Sequence, residues 1–392
     1  MAVIMHVDMD AFYAAVELRR HPELVDVPVW VGGERRGVVL SANYPARAFG
    51  VRGGMAVSVA RRLCPHAVAL RPDFADYTEA SAGVRAILET ITPRVEMASI
   101  DEAYLDLTTA RRTQGTAVEI GQRARAMVWD EQRLSCSVGI GPNRLIAKMA
   151  SVAAKPDGLV EIEPDHVVDF LHPLPVERLV GVGESTAARL HRLGVETIGD
   201  LAAVPRPTLR QTFGRHAGAM LAEIAWGRDG GRQHWARPGE RGVGCQETFG
   251  RDLSDVAEVR AEILRVCDKV ATRMRAAGVV GRTVTFHVRY ADFGTRSVSV
   301  ALAEPTDLTG ELYEAALRLY GRLPPSRQCL RRVGVRVTGL VERTRVWRQP
   351  RLDDPEVGWD ALESAADKVN RTFGSRAATR ATLTGPHRGI SI

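Results

Sequence analysis

The chain runs to 392 residues, with 45% hydrophobic and 26% charged side chains and a formal net charge of +6 at pH 7. That length exceeds one ordinary core, so roughly two to four domains of a globular protein are expected. No apolar run approaches the ~18 residues a membrane helix needs, which sets membrane partners aside.

Taken in chain order, Ala2–Val7 reads as a short apolar strand that leads into HVDMDAFYAAVE, His6 to Glu17. An insertion from about Ala11 to Ala75 follows; it contains ANYPARAFGVRGGM and is too short for a large domain. Tyr77, Ala80, Val84, Ile87, Leu88 and Ile91 then recur at helical spacing, with Asp76 as the N-cap. Strand-like runs at Val95–Ile100 and Ala103–Leu107 meet at an acidic pair. A helix from about Thr116 to Gln132 leads to a strand at Leu134–Ile140, a helix in PNRLIAKMAS and a strand at Leu159–Ile162. This order predicts an α/β sheet backed by helices. From about Val167 to Gly231 the pattern is helical, and QHWARPGERG, Gln233 to Gly242, reads as a linker. From Val243 to about Arg345, TVTFHVRY, RSVSVAL and RVGVRVTGL alternate apolar with polar or basic residues, as one-sided antiparallel strands do. The tail from Val346 carries one amphipathic helix near Trp359–Phe373.

Asp8 and Asp10 have strand spacing, so both project from one face if the strand persists. Asp101 and Glu102 stand side by side in SIDEAYLD, Ser99 to Asp106. Each acid alone is more often a solvated loop carboxylate. Four of them near the tips of buried strands are another matter, because unpaired buried charge is costly. Divalent cations resolve that cost, and Mg²⁺ binds through one or two carboxylates plus its substrate's phosphates. The chain therefore reads as a metal-dependent phosphoryl- or nucleotidyl-transfer enzyme. In two-metal nucleotidyl transfer, catalysis is mainly positioning and charge neutralisation.

Other signals qualify that reading. SVGIGPNRLIAKMAS has GxG before a helix, but Arg144 stands where a third glycine belongs, so a dinucleotide fingerprint fails. LVGVGESTAARLHRLGVETIGDL, Leu179 to Leu201, has a helix–GVG–helix pattern around Gly181 and Gly183. It resembles a helix-hairpin-helix aimed at a DNA phosphate, or else it is a plain helical hairpin with a glycine turn. Between Arg331 and Arg351 stand seven arginines and one acid, Glu342. That is the footprint of a polyanion-binding surface, the bland alternative being a solvated basic face. Cys64, Cys136, Cys245, Cys267 and Cys329 are scattered and never in CxxC spacing. A reduced cytoplasmic protein without structural zinc is expected, and Asp8 arrives too early for a signal peptide.

HVDMDAFYAAVE, ANYPARAFGVRGGM, SIDEAYLD, SVGIGPNRLIAKMAS and KPDG occur here in the order found in Y-family translesion DNA polymerases. The chain resembles their bacterial DNA polymerase IV branch over about residues 1–345. The resemblance implies a multidomain α/β (α+β) right hand. Its palm would be residues 1–11 and 76–166, small fingers 12–75, a helix-hairpin-helix thumb 167–232, a linker 233–242, a βα little finger 243–345 and a tail 346–392. It implies that Asp8, Asp101 and Glu102, with the Met9 carbonyl, hold two Mg²⁺ ions, with Mn²⁺ as an alternative. Tyr13 would be the steric gate against a ribose 2′-hydroxyl, with Phe12 beside it, and Tyr44, Arg47 and Lys155 would hold the incoming triphosphate. Asp10 has no metal role in that pattern. The same residues have plainer readings: Tyr13 as a core aromatic, Arg47 and Lys155 as surface cations, Ser99 as a solvated hydroxyl rather than an orienter of a carboxylate.

The partners expected are primer–template DNA and a dNTP, for a monomer without proofreading. DNA contacts are expected at Gly181, Gly183, Arg289, Arg331, Arg332 and Arg336. Many relatives carry a clamp-binding QxxLF peptide after the little finger, whereas here Gln349–Asp354 reads QPRLDD. Asp353 and Asp354 replace the aromatic anchors, so sliding-clamp binding through this peptide is expected to be weak or absent. Two rival classes stand beside the polymerase. A catalytically silent, polymerase-like DNA-binding adaptor is disfavoured by the retained acids. A two-metal nuclease is disfavoured by Tyr44, Arg47 and Lys155.

Overall fold

The computed structural model describes residues 2–33, 36–230, 242–324, 328–346, 358–374, 377–384 and 389–390. The chain divides into two units: Met1–Gly32 with Val38–Pro238, and Gly33–Gly37 with Gly239–Ile392.

The first unit opens with β1 (Ile4–Met9) and α1 (Phe12–Leu18), followed by β2 (Val29–Gly32), β3 (Val39–Ala42), α2 (Tyr44–Ala48), α3 (Val57–Leu63) and β4 (Val68–Leu70). Next come α4 (Phe74–Ile91), β5 (Val95–Met97), β6 (Glu102–Asp106), α5 (Arg111–Gln114), α6 (Ala117–Gln132), β7 (Cys136–Gly141), α7 (Arg144–Ala154) and β8 (Leu159–Glu161). The main sheet has the order β5-β6-β1-β7-β8, antiparallel except for the β7–β8 pair. Every residue of β1 and β7 is buried, which explains their continuous apolar runs. Helices α4 and α6 complete a core with Met5, Val7, Leu105, Val138 and Ile140. The inserted segment builds its own three-stranded sheet, β3-β2-β4, around Trp30, Val39, Val51 and Val57.

Helix α4 starts one residue past Asp73, whose side chain accepts from the Ala75 and Asp76 amides. The cap is therefore Asp73 and not Asp76. Thr116 and Glu119 form a capping box at α6, and Asn143 caps α7. Short helices follow: α8 (Val167–Leu171), α9 (Glu184–His191), α10 (Ile198–Ala203), α11 (Arg206–Phe213) and α12 (Arg215–Ile224). Their core shares Leu145, Ile146 and Met149 with α7.

The second unit comprises β9 (Gly242–Leu253), α13 (Val256–Ala276), β10 (Val279–Tyr290), β11 (Thr295–Thr306), α14 (Thr309–Gly321), β12 (Leu330–Glu342), α15 (Trp359–Phe373) and β13 (Gly389–Ile390). Its sheet order is β11-β10-β12-β9-β13. Val284, Phe286, Val288, Val333, Val335 and Val337 face α13 and α14, leaving the alternate residues on the open face. The tail is part of this unit. Glu363 on α15 is buried and accepts from Arg275, Arg380 and the Thr309 amide, while Asp367 pairs with Arg275 at 2.6 Å.

Candidate active site

Strands β1 and β6 are antiparallel neighbours in which Asp8 stands directly opposite Glu102. The next step of that ladder is the Met9 amide bonded to the Asp101 carbonyl at 3.0 Å, so all three acids end up at one rim of the sheet. The Ser99 hydroxyl donates to Asp101 Oδ1 at 2.5 Å, so Ser99 orients this carboxyl. β1 ends at Met9, and Ala11, with φ of 48°, turns the chain into α1. Asp10 thus lies just past the strand, 2% exposed.

Helix α7 crosses beneath β1 and β7, close enough that only glycine fits at Gly139, where a Cβ would collide with the helix backbone at Ala147 and Ser151. That crossing brings two lysines to the acids. Lys148 Nζ bonds both oxygens of Glu102, at 2.8 and 2.6 Å. Lys155, just past the helix end, reaches Asp8 Oδ1 at 2.6 Å, the Met9 carbonyl at 3.1 Å and Asp10 Oδ1 at 3.2 Å. Ser151, one turn from Lys148, bonds His6 Nδ1 at 2.7 Å and donates to the Lys148 carbonyl at 2.9 Å. His6 Nε2 is buried without a hydrogen-bond partner, 3.9 Å from Glu102. Behind it, Arg144 stacks on Tyr104 and forks onto Glu96 at 2.5 and 2.9 Å.

These contacts set the acids apart electrostatically. His6 and Lys148 hold Glu102 down at about 2, and the two short Lys148 bonds carry more than an imidazole nitrogen beyond hydrogen-bond reach. Asp8 shifts the other way: burial raises it, although Lys155 opposes the rise. Burial lowers His6, against the opposing pull of the Glu102 and Asp8 carboxylates. Among the described residues, no three His, Cys, Asp or Glu side chains close a metal cage by themselves. The chemistry of the donors nevertheless fits Mg²⁺. Asp8, Glu102, Asp101 and the Met9 carbonyl offer only hard oxygens, and ammonium groups lie on Glu102, Asp8 and the Met9 carbonyl.

The residues expected around a nucleotide fall near these acids, and Phe12 differs from the others in having a fully buried side chain. The Tyr13 ring is half-buried, packed edge-on against Tyr77 at 4.8 Å. Tyr44 donates to Asp10 Oδ1 at 3.2 Å, and the Arg47 guanidinium lies over the Tyr44 ring at 4.8 Å. Phe12 is 2% exposed and belongs to the core against Tyr77, so its side chain is closed to any ligand. Sequence reasoning misses Lys148, His6 and the organising role of Asp10. A lone lysine in the apolar run LIAKMAS is the available signal for the first.

Family models match in three places: the impB/mucB/samB family over residues 7–152, its C-terminal domain over 240–352, and a DNA polymerase-iota thumb domain over 177–229. DNA polymerase IV of Desulfatibacillum aliphaticivorans is 39% identical over 389 residues, covering 97% of this chain and 96% of that protein. DNA polymerase IV of Alkalilimnicola ehrlichii is 41% identical over 345 residues, covering 87% and 96%. The chain belongs to the Y-family DNA polymerases, in the DNA polymerase IV branch. A chimeric Y-family DNA polymerase shares the fold, with a TM-score of 0.75 at 24% identity, over 86% of this chain and 99% of that one. An insertion ternary complex of Dbh DNA polymerase gives 0.59 at 24% identity, over 86% and 98%.

Y-family polymerases are DNA-directed enzymes, which directs attention to the faces where DNA contacts are expected. In the thumb region, the segment before GVG is a single 3₁₀ turn, Val176–Arg178, and not a helix. Gly181 has φ of 98°, which requires glycine, and Gly183 caps α9 in an extended conformation. On the open face of the second unit, Arg289 on β10 lies directly opposite Arg332 on β12, and Arg336 opposite Thr285. Burial and Arg289 lower Arg332. Like charges paired across strands destabilise a sheet unless an anion lies over them. The basic stretch is not uniform, however. Arg343 is drawn to Asp307 at 2.6 Å and Arg345 to Glu342 at 2.7 Å, because those acids lie within reach. Gln349–Asp354 lies outside the described residues. No helix among the described residues is long and apolar enough to cross a membrane.

Proposed function

We propose that the chain extends a DNA primer by template-directed transfer of deoxynucleotides, across damaged template bases, at low fidelity and without proofreading. The observation that carries this reading is the rim where Asp8 opposes Glu102, with Asp101 beside them and Lys155 and Tyr44 linked through Asp10. Asp8, Asp101, Glu102 and the Met9 carbonyl would hold two Mg²⁺ ions, or Mn²⁺. When bound, these supply the Lewis-acid charge for attack of the primer 3′-hydroxyl and departure of pyrophosphate.

The chain's own groups do the rest. Arg47 can fork onto phosphate oxygens, and Lys155 offers a point charge to the triphosphate. Tyr13 presents a flat ring held by Tyr77, against which a ribose 2′-hydroxyl would clash. Backbone amides at Gly181 and Gly183 and the side chains of Arg289, Arg331, Arg332 and Arg336 would track DNA phosphates. The enzyme works as a cytoplasmic monomer. Clamp binding through Gln349–Asp354 is weak or absent, a reading that nanomolar binding abolished by Leu352→Ala would refute.

Primer extension with dNTPs and Mg²⁺ tests the site directly. Wild type should extend, retain a mispaired 3′ end, and lose extension with Asp101→Ala. Extension that survives the substitution would sink the assignment of the acids. Absence of extension in wild type would favour a silent DNA-binding adaptor.

A further inference from the structure

The turn between β10 and β11 holds its side chains in an order that folding alone does not explain. Ala291–Gly294 connects the strands: the Phe293 amide bonds the Tyr290 carbonyl at 3.0 Å, and the Tyr290 amide bonds the Gly294 carbonyl at 2.9 Å. Such a turn needs one residue in the left-handed region, usually glycine. Here Phe293 takes it, with φ of 68°, while Gly294 next door does not. A bulky side chain in that conformation is an outlier, and strain of this kind persists where function requires it. Burial does not offset it, because Phe293 is 55% exposed.

Two guanidinium groups rest on the exposed ring instead. Arg289 lies 4.9 Å and Arg331 4.8 Å from its centroid, and Arg289 Nε also bonds the Phe293 carbonyl at 3.4 Å. Arg331 reaches this position because the β10–β12 pairing shifts register between Arg289 and Tyr290, and its nearest acid, Asp252, is 3.9 Å away. Asp292, the acid of the turn, accepts from the Gly294 amide and Gln328, both at 2.8 Å. With Arg332 opposite Arg289, positive charge gathers around an aromatic ring at one end of the sheet.

We infer that Phe293 is a positioning residue for nucleic-acid binding, its ring holding Arg289 and Arg331 as a paired grip on the phosphodiester backbone of bound DNA. The inference rests on the reading of this face as DNA-binding. The left-handed backbone aims the ring outward, and cation–π attraction fixes two long side chains before DNA arrives. Their rotamer freedom is thus restricted in advance of binding.

The test is titration of a fluorescent primer–template duplex into the full chain at several salt concentrations, without metal or nucleotide, beside thermal unfolding. Phe293→Gly should raise the unfolding temperature by roughly 2–4 °C, since it relieves the left-handed strain. It should also weaken DNA binding about fivefold, because the ring that attracts both guanidinium groups is gone. Phe293→Tyr keeps the ring and should match wild type in affinity. Joint Arg289→Ala and Arg331→Ala substitution should flatten the plot of log affinity against log salt by about 0.9 for each phosphate the protein no longer neutralises. Wild-type affinity in Phe293→Gly overturns the inference, as does weaker binding accompanied by a lower unfolding temperature. If the double arginine variant binds and responds to salt as wild type does, the DNA-face reading itself fails.

Discussion

Replacing Asp10 by asparagine probes the site without changing its volume. Asp10 Oδ1 accepts from the Tyr44 hydroxyl at 3.2 Å, the Ser137 hydroxyl at 2.9 Å and Lys155 Nζ at 3.2 Å, and Oδ2 accepts from the Asp157 amide at 2.9 Å. Every partner donates. Asparagine offers one acceptor oxygen and one donor amide. With its oxygen in the place of Oδ1, its NH₂ faces the Asp157 N–H, donor against donor. Turned round, the NH₂ can donate to the two hydroxyls, which can rotate to accept, but the Lys155 ammonium has nothing to accept with. Either arrangement strands one donor in a site only 2% exposed, costing about 1–3 kcal/mol. Asp10→Asn should therefore destabilise the protein by about 2 kcal/mol in urea unfolding and raise KM for the incoming dNTP, as Tyr44 and Lys155 lose their shared anchor. A variant within about 0.5 kcal/mol of wild type and with unchanged KM would refute the reasoning.

Tyr13→Ala removes the ring that packs on Tyr77 and should raise the ratio of ribonucleotide to deoxynucleotide kcat/KM by about tenfold or more, with extension retained. Unchanged sugar discrimination would remove Tyr13 from the gate. Gly139→Ala drives a methyl into the α7 backbone at Ala147 and Ser151 and should cost at least about 1–3 kcal/mol in unfolding experiments. Lys148→Met should alter stability only where Glu102 is ionised. The folded-state value of about 2 lies below the ordinary glutamate value of 4.5, so the stabilisation is present above pH 4.5 and lost as pH falls toward 2. Urea unfolding should show wild type more stable than the variant at neutral pH and the gap closing near pH 2, whereas a gap independent of pH would exclude the Lys148–Glu102 pair as its source.

Local pattern carries the elements well. The alternation of Val284, Phe286 and Val288 with Thr285, His287 and Arg289 fixes a one-sided strand, and the structure sets those apolar residues on α13 and α14. The tail helix at Trp359–Phe373 is equally legible from its spacing. The start of α4 is not, because Phe74 is 43% exposed and shows no inward periodicity, so the spacing points to a cap one turn too late. At the site, acids in apolar strands stand out, whereas Lys148 looks like an ordinary helix cation. Its role depends on α7 crossing β1, which no local window contains. The same holds for Arg343, whose partners Asp307 and Asp360 are distant in sequence and remove it from the basic face.

Positive charge is short around the acids. Asp8, Asp10 and Glu102 share two ammonium groups, Lys155 divides itself between Asp8, Asp10 and the Met9 carbonyl, and Asp101 is bonded by the Ser99 hydroxyl. Burial already pushes Asp8 toward protonation despite that lysine. Replacing a buried ion pair by hydrophobic residues of like volume is often neutral or stabilising, so the stability of the fold alone does not call for these acids. A divalent cation would remove the imbalance, and the oxygens it would take from Asp8 and Met9 are those Lys155 now holds. On the proposed function, metal and ammonium would therefore compete until a triphosphate gave Lys155 another partner. Without nucleotide, Lys155→Met should bind Mn²⁺ more tightly than wild type, by about tenfold for roughly 1.4 kcal/mol of removed competition, as read by the free-ion paramagnetic resonance signal. With dNTP present the order should reverse, because the variant lacks the cation proposed to hold the phosphates. Equal Mn²⁺ affinity of the two proteins without nucleotide would mean that Lys155 does not stand in the metal's place.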